Sequence, residues 1–209
     1  MLPQCFNPLD FGIIYKYNIS MKALEKKILE EGSILPGGII KVNSFLNQNI
    51  DTAFLMEMGK EIASIYSNEK IDKILTIESS GIALALAAAM QIGVPVLFAK
   101  KNKSSNISGK VLTAPIHSYT YNKDYTAVVS AEFLKEGERV LLVDDFLAKG
   151  AALEGLISIA EQAKAVVVGA AIAIEKGFQD GGKRIRARGI RIESLAVVES
   201  MTDNSVTFK

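Results

Sequence analysis

The stretch VLLVDDFLAKGAAL at residues 140–153 decides the fold. Four unbroken apolar residues read as a buried strand over 140–143, two adjacent acids follow, and a turn of small residues opens into a helix expected over 150–164. A strand feeding a helix through a tight turn is part of a βαβ unit, and the chain on either side repeats the alternation. Helices are expected over 51–66, 81–91 and 183–188, and strands over 71–77, 94–99, 165–174 and 190–198. Gly93 and Gly189 stand where helix stops belong. The pattern predicts an α/β fold, a mostly parallel sheet flanked by helices.

Moving outward, the texture changes at Met21. Met21, Leu24 and Ile28 fall at helical spacing before Gly32, whereas residues 1–20 hold Pro3, Pro8 and scattered aromatics with no period. They read as an extension outside the fold, leaving a single domain over 21–209 with neither linker nor internal repeat. With 49% hydrophobic and 22% charged residues the chain has the composition of a globular protein. Its 24 Lys and Arg against 23 Asp and Glu leave +1, so no global field draws it to nucleic acid or an anionic membrane. One cysteine, Cys5, and one histidine, His117, exclude an internal disulfide and a zinc site of Cys/His type. The apolar run at 163–174 carries Lys164 and is shorter than the roughly 20 residues of a membrane span. A reduced, cytoplasmic setting is expected.

Ligands of open α/β sheets bind beyond the carboxyl ends of the strands, so the residues following each strand carry the chemistry. After residue 77 comes Glu78-Ser79-Ser80-Gly81, and after 143 come Asp144, Asp145 and the turn Ala148-Lys149-Gly150-Ala151-Ala152. Both lead into a helix N-terminus, where free N–H groups and the helix dipole suit phosphate. The acids can accept hydrogen bonds from hydroxyls or approach a cation. Between Lys100 and Lys123 the pattern breaks: Lys101, Lys103 and Lys110 occur with no acid among them, which reads as a long basic loop able to fold over a multiply charged anion. Neither GxGxxG nor GxxxxGK[ST] occurs. Alone, an acid pair is often a cap and a Ser-Ser-Gly run a turn; their combination is specific.

That combination resembles the type I phosphoribosyltransferases, in which two acids precede the 5′-phosphate loop. The likeness covers nearly all of 21–209 and is greatest to the bacterial xanthine enzymes, through KVNSFLNQNID (41–51), TIESSGIA (76–83), VPVLFAKKNKS (94–104), Ser118-Tyr119 and IEKGF (174–178). One departure is notable. Many members place Thr-Gly-x-Thr in the phosphate loop, and here the stretch is Lys149-Gly150-Ala151-Ala152. The xanthine subfamily is similarly atypical.

The resemblance implies a small hood over the base site, a flexible basic loop, and a role for each matching position. Ala148, Lys149, Gly150, Ala151 and Ala152 would cradle the 5′-phosphate of 5-phosphoribosyl 1-diphosphate (PRPP). Asp144 and Asp145 would hold the ribose hydroxyls and offset charge building on the ring. Glu78, Ser79, Ser80 and Gly81 would face the diphosphate, with Lys100 and Lys101 neutralising it as it leaves and Tyr119 adding to the PRPP site. Mg²⁺ would be bound mainly through PRPP and water, with no direct protein cage. Ile40, Asn47 and Lys176 would form the base site. The implied reaction is PRPP plus xanthine giving xanthosine 5′-monophosphate and diphosphate, by a homodimer. A hypoxanthine or guanine enzyme would differ only in the hood. A non-catalytic PRPP-binding regulator would need a DNA-binding domain, for which residues 1–20 are too few. His117 is given no role, and Arg184, Arg186, Arg188 and Arg191 read as a solvated face or dimer contact.

Overall fold

The computed structural model of the chain describes residues 21–102, 109–118 and 123–209; the extension at 1–20 and Tyr119 lie outside them. An eight-stranded sheet runs in the order β10-β9-β8-β7-β3-β4-β6-β5, with β10 (Val206–Phe208) antiparallel to β9 at one edge. Its centre, β3 (Lys73–Ile77), β4 (Val96–Lys101), β7 (Arg139–Leu147), β8 (Val166–Lys176) and β9 (Ile192–Met201), is parallel. The helices that connect or flank these strands are α1 (Lys22–Glu31), α2 (Thr52–Ile65), α3 (Ser80–Ile92), α4 (Ala151–Gln162) and α5 (Gly181–Ala187). The mostly parallel α/β sheet expected from the alternation is what the chain forms.

Strand β7 shows why both faces must be covered. Leu141 and Val143 enter one apolar cluster with α1, α2 and α3, while Val140 and Leu142 enter a second with α4. Successive side chains of a strand leave on opposite sides, so an unbroken apolar run is the signature of a strand buried on both. Asp51 starts α2 by accepting from the Phe54 N–H at 3.1 Å, and Gly93 ends α3 at φ 82°. No helix among the described residues is long and apolar enough to cross a membrane.

Two expectations need correction. The strand read as ending at Val143 continues to Leu147, because β7 keeps its ladder with β8 through Phe146↔Ile174 and Leu147↔Glu175. Asp144 and Asp145, expected just beyond the strand, are therefore residues of the strand itself. Within the segment read as a basic loop, Lys103 lies outside the described residues, while 111–118 form β5 (Val111–Ser118), an antiparallel partner of β6 (Lys123–Ser130), paired from Val111↔Ser130 to Ser118↔Lys123. Pro115 is compatible with β5 because that strand lies at the sheet edge. Strand β5 is seated on α4: a Cβ at Gly155 would stand 2.6 Å from Ile116 Cδ1. A second small sheet, β1 (Ser33–Leu35) with β2 (Ile39–Lys41), supplies the hood.

Candidate active site

The carboxyl ends of β3, β7 and β8 meet beneath the hood and the hairpin. Asp144 and Asp145 are buried, with exposures of 5% and 8%, and the Asp145 N–H donates to Asp144 Oδ1 at 3.0 Å. Burial pushes the Asp144 carboxyl well above its usual range, and the neighbouring Asp145 charge pushes it further. The Lys101 ammonium acts in the opposite direction on Asp144. Lys100 and Lys101 both lie on β4, and adjacent strand residues face opposite ways, so only one of the pair can serve the acids. Lys101 is that one. Its Nζ lies 5.3 Å from the centre of the Tyr125 ring, and its N–H donates to Glu78 Oε1 at 2.5 Å. Burial raises the Tyr125 phenol, with Asp144 as the second cause.

Ser79, Ser80 and Gly81 form the start of α3, where no side chain caps the helix, and the Glu78–Ser79 peptide is cis. Gly81 is dictated by space: a Cβ there would stand 2.5 Å from Thr76 Oγ1 and 3.0 Å from Asp144 Oδ1. The absence of a side chain thus lets this helix start approach the acid pair.

Beyond Leu147, the turn of Ala148, Lys149, Gly150, Ala151 and Ala152 opens α4. Gly150 takes φ 81°, and no side chain caps this helix either. The first N–H groups of a helix have no partner within it, so such an end suits an anion. This loop lines a cavity of about 440 Å³ with Gly37, Gly38 and Ile39 of the hood, Phe146, Lys176 and Gln179. Lys176 Nζ donates to the Gly38 carbonyl at 2.8 Å and lies 6.0 Å from the Phe146 ring centre. Burial pulls the Lys176 ammonium below the usual lysine range.

The other two expected base residues are placed differently. Ile40 faces the core, 7% exposed, because β2 alternates and turns Ile39 outward instead. Asn47 ends a π-turn over Asn43–Asn47, and its buried Oδ1 has no hydrogen-bond partner. An unpaired buried acceptor is costly unless something else supplies the donor. Neither residue is among those lining the cavity.

Sequence reasoning missed the hairpin's contribution. His117 and Tyr125 line the same cavity, and His117 Nδ1 lies 2.6 Å from Asp124 Oδ1 across the hairpin. The signal for His117 could be found only through strand pairing, which sets His117 opposite Asp124. Gly37 and Gly38 carried a turn signal of their own.

With this geometry in place the class follows: the chain belongs to the phosphoribosyltransferase family, whose phosphoribosyl transferase domain profile matches residues 47–199. It is 51% identical over 190 residues to xanthine phosphoribosyltransferase 1 of Clostridium perfringens, across 90% of this chain and 100% of the relative. It is 50% identical over 189 residues to the xanthine phosphoribosyltransferase of Oceanobacillus iheyensis, across 90% of this chain and 97% of that one. The fold is shared with adenine phosphoribosyltransferase from Thermoanaerobacter pseudethanolicus, at TM-score 0.70, 23% identity, and coverage of 83% of this chain and 98% of that chain.

Proposed function

We propose that this chain transfers the 5-phosphoribosyl group from PRPP to xanthine, giving xanthosine 5′-monophosphate and diphosphate. The observation that carries the reading is the junction of an uncapped phosphate-type loop, Ala148 to Ala152, with Lys176 in one cavity beside the buried acid pair. The relatives' names support the choice of xanthine.

The reaction loses a charged leaving group from a sugar that becomes cationic, so positioning and electrostatics dominate. The loop's backbone N–H groups hold the 5′-phosphate. Asp144 and Asp145 accept from the ribose hydroxyls and offset the positive ring. The open start of α3 at Ser79, Ser80 and Gly81 receives the diphosphate, and Lys101 balances its charge as it departs. Hard carboxylate oxygens suit Mg²⁺, and among the described residues no three His, Cys, Asp or Glu groups converge to cage a metal. Asp144 and Asp145 are the side chains that would face the ion, which supplies charge neutralisation to the diphosphate. Lys176 donates to an exocyclic oxygen of the base, and Asn47 exchanges hydrogen bonds with the purine edge. Substrates this heavily charged are retained within the cytoplasm. Exposed Leu86 and Met90, one turn apart on α3, fit an apolar contact between two copies of the chain.

The test is diphosphate release from PRPP with each purine in turn. Xanthine carries an acceptor at C2 where guanine carries a donor, so a donor-rich site favours xanthine. The expected order of kcat/KM is xanthine, then guanine, with hypoxanthine near guanine and adenine inactive. A preference for adenine, or for guanine over xanthine, overturns the base assignment.

A further inference from the structure

The arginines of α5 do not face solvent freely; two of them hold the site from behind. Arg184 donates through Nη2 to the Lys149 carbonyl at 3.0 Å and to Glu154 Oε1 at 2.8 Å, and through Nη1 to Asp180 Oδ2 at 2.9 Å. Lys149 is in the phosphate loop, Glu154 in the helix it opens, and Asp180 just before α5. Arg186 forms a paired contact with Glu175, Nη1 to Oε1 at 2.6 Å and Nη2 to Oε2 at 2.7 Å, while Ser194 Oγ donates to Oε2 at 2.6 Å. Glu175 is only 5% exposed and immediately precedes Lys176.

The start of α5 is wedged between the two. A Cβ at Gly181 would stand 2.3 Å from the Ala148 carbonyl oxygen and 2.6 Å from Gly150 N. One at Gly182 would stand 2.2 Å from Glu175 Oε1. Two successive glycines thus press one helix against the phosphate loop and against the end of β8. The Lys149–Gly150 peptide is trans, so its carbonyl and N–H point opposite ways. Drawing the carbonyl toward Arg184 turns the Gly150 N–H in the other direction.

We propose that Arg184 and Arg186 are positioning residues of the transfer reaction. Arg184 holds the Lys149 carbonyl so that the loop presents its N–H groups to the 5′-phosphate. Arg186 holds Glu175 so that the neighbouring Lys176 meets the base. The proposal rests on the functional reading above. Arg184 and Glu154 are partly exposed, and such ion pairs add little to stability, so the effect of Arg184 is readable in kinetics apart from folding.

Initial rates with PRPP and xanthine varied separately decide it. Arg184→Gln is expected to raise KM for PRPP at least about fivefold while KM for xanthine stays within about twofold. Arg184→Lys, which keeps one donor for the carbonyl, recovers part of the loss. Arg186→Lys shows the converse split; truncation is avoided because it would leave Glu175 buried and unpaired. Should Arg186→Lys fail to fold, the neutral pair Glu175→Gln with Arg186→Gln carries the same test. Wild-type KM values, or equal rises in both, overturn the proposal. If the wild-type protein releases no diphosphate with xanthine, the functional reading falls and the Arg186 arm with it. Calorimetric titration with PRPP alone then reads the Arg184 arm, and an unchanged Kd in Arg184→Gln overturns it.

Discussion

Lys176 Nζ donates to the Gly38 carbonyl at 2.8 Å, joining two residues 138 positions apart and tying the hood to the end of β8. The ammonium has three donors, so one can remain on Gly38 while another meets a base oxygen. The same side chain would then fix the hood and read the ligand.

Lys176→Ala is expected to raise KM for xanthine at least about tenfold, and to impair every 6-oxopurine alike, since both the donor and the hood contact go. Asn47→Ala is expected to raise KM for xanthine about three- to tenfold with little effect on PRPP. Thermal unfolding separates the two. The unpaired Asn47 Oδ1 is a cost to the folded protein, so Asn47→Ala does not lower the midpoint.

Asp144→Asn and Asp145→Asn are each expected to leave the fold intact and to lower kcat/KM at least about tenfold, about 1.4 kcal/mol in the barrier. Wild-type rates in both variants would remove these residues from the mechanism.

The same substitution has a second, opposite effect on stability. Asp144 holds its proton more tightly folded than unfolded, where its ordinary value is 3.8. The folded state binds more protons between those two values, so stability is greatest below the unfolded value and falls as pH rises toward the folded one. An asparagine cannot ionise. The melting midpoint of Asp144→Asn should therefore exceed that of the wild type at neutral pH, the gap shrinking on acidification toward about pH 4. A gap that widens in acid would contradict the burial argument.

Gly81→Ala places a methyl group 2.5 Å from Thr76 Oγ1 and 3.0 Å from Asp144 Oδ1. A loss of about 1–3 kcal/mol in unfolding free energy is expected, together with a fall in kcat, because the start of α3 must retreat from the acid pair. Denaturant titration beside single-turnover rates checks both.

A chain starting at Met21 is expected to keep its kcat/KM and to stay within about 1 kcal/mol of the full chain in stability. The Met21 N–H donates to the Leu195 carbonyl at 2.7 Å, which ties the chain to β9 at that residue. A larger loss would show that residues 1–20 dock on the core.

The parallel core was legible because periodicity is local: 140–143 and 165–174 are apolar without a break, and Gly93 marks a helix end by its own conformation. What the sequence hid depends on partners elsewhere. Nothing local in Asp144-Asp145-Phe146-Leu147 reads as strand, and only the ladder with Ile172, Ile174 and Glu175 on β8 makes it one. Pro115 and the lysines that flank β5 disguised eight paired positions whose regularity exists only between β5 and β6. His117 could gain a place in the site only through that pairing. The inward turn of Ile40 was hidden for a similar reason, since the alternation of a three-residue strand decides which of Ile39 and Ile40 faces the core. The resemblance pointed to the acids, the turn at 148–152 and Lys176 as candidates; it gave no hint of the contact of Arg184, whose partner is a backbone carbonyl without a sequence signature.

Because Asp144 pairs with Ile172 and Asp145 lies within the same strand, β7, the acid pair is moored to the central sheet. The loop that follows contributes backbone, and only Gly150 is committed there by its φ of 81°. Ala151 and Ala152 pack on the apolar cluster beneath α4, so the side chains of residues 148 and 149 are the ones the turn itself leaves open to change. For protein engineering this marks a natural seam: the turn could be randomised around Gly150 to accept altered sugar phosphates while the sheet keeps the carboxylates in place.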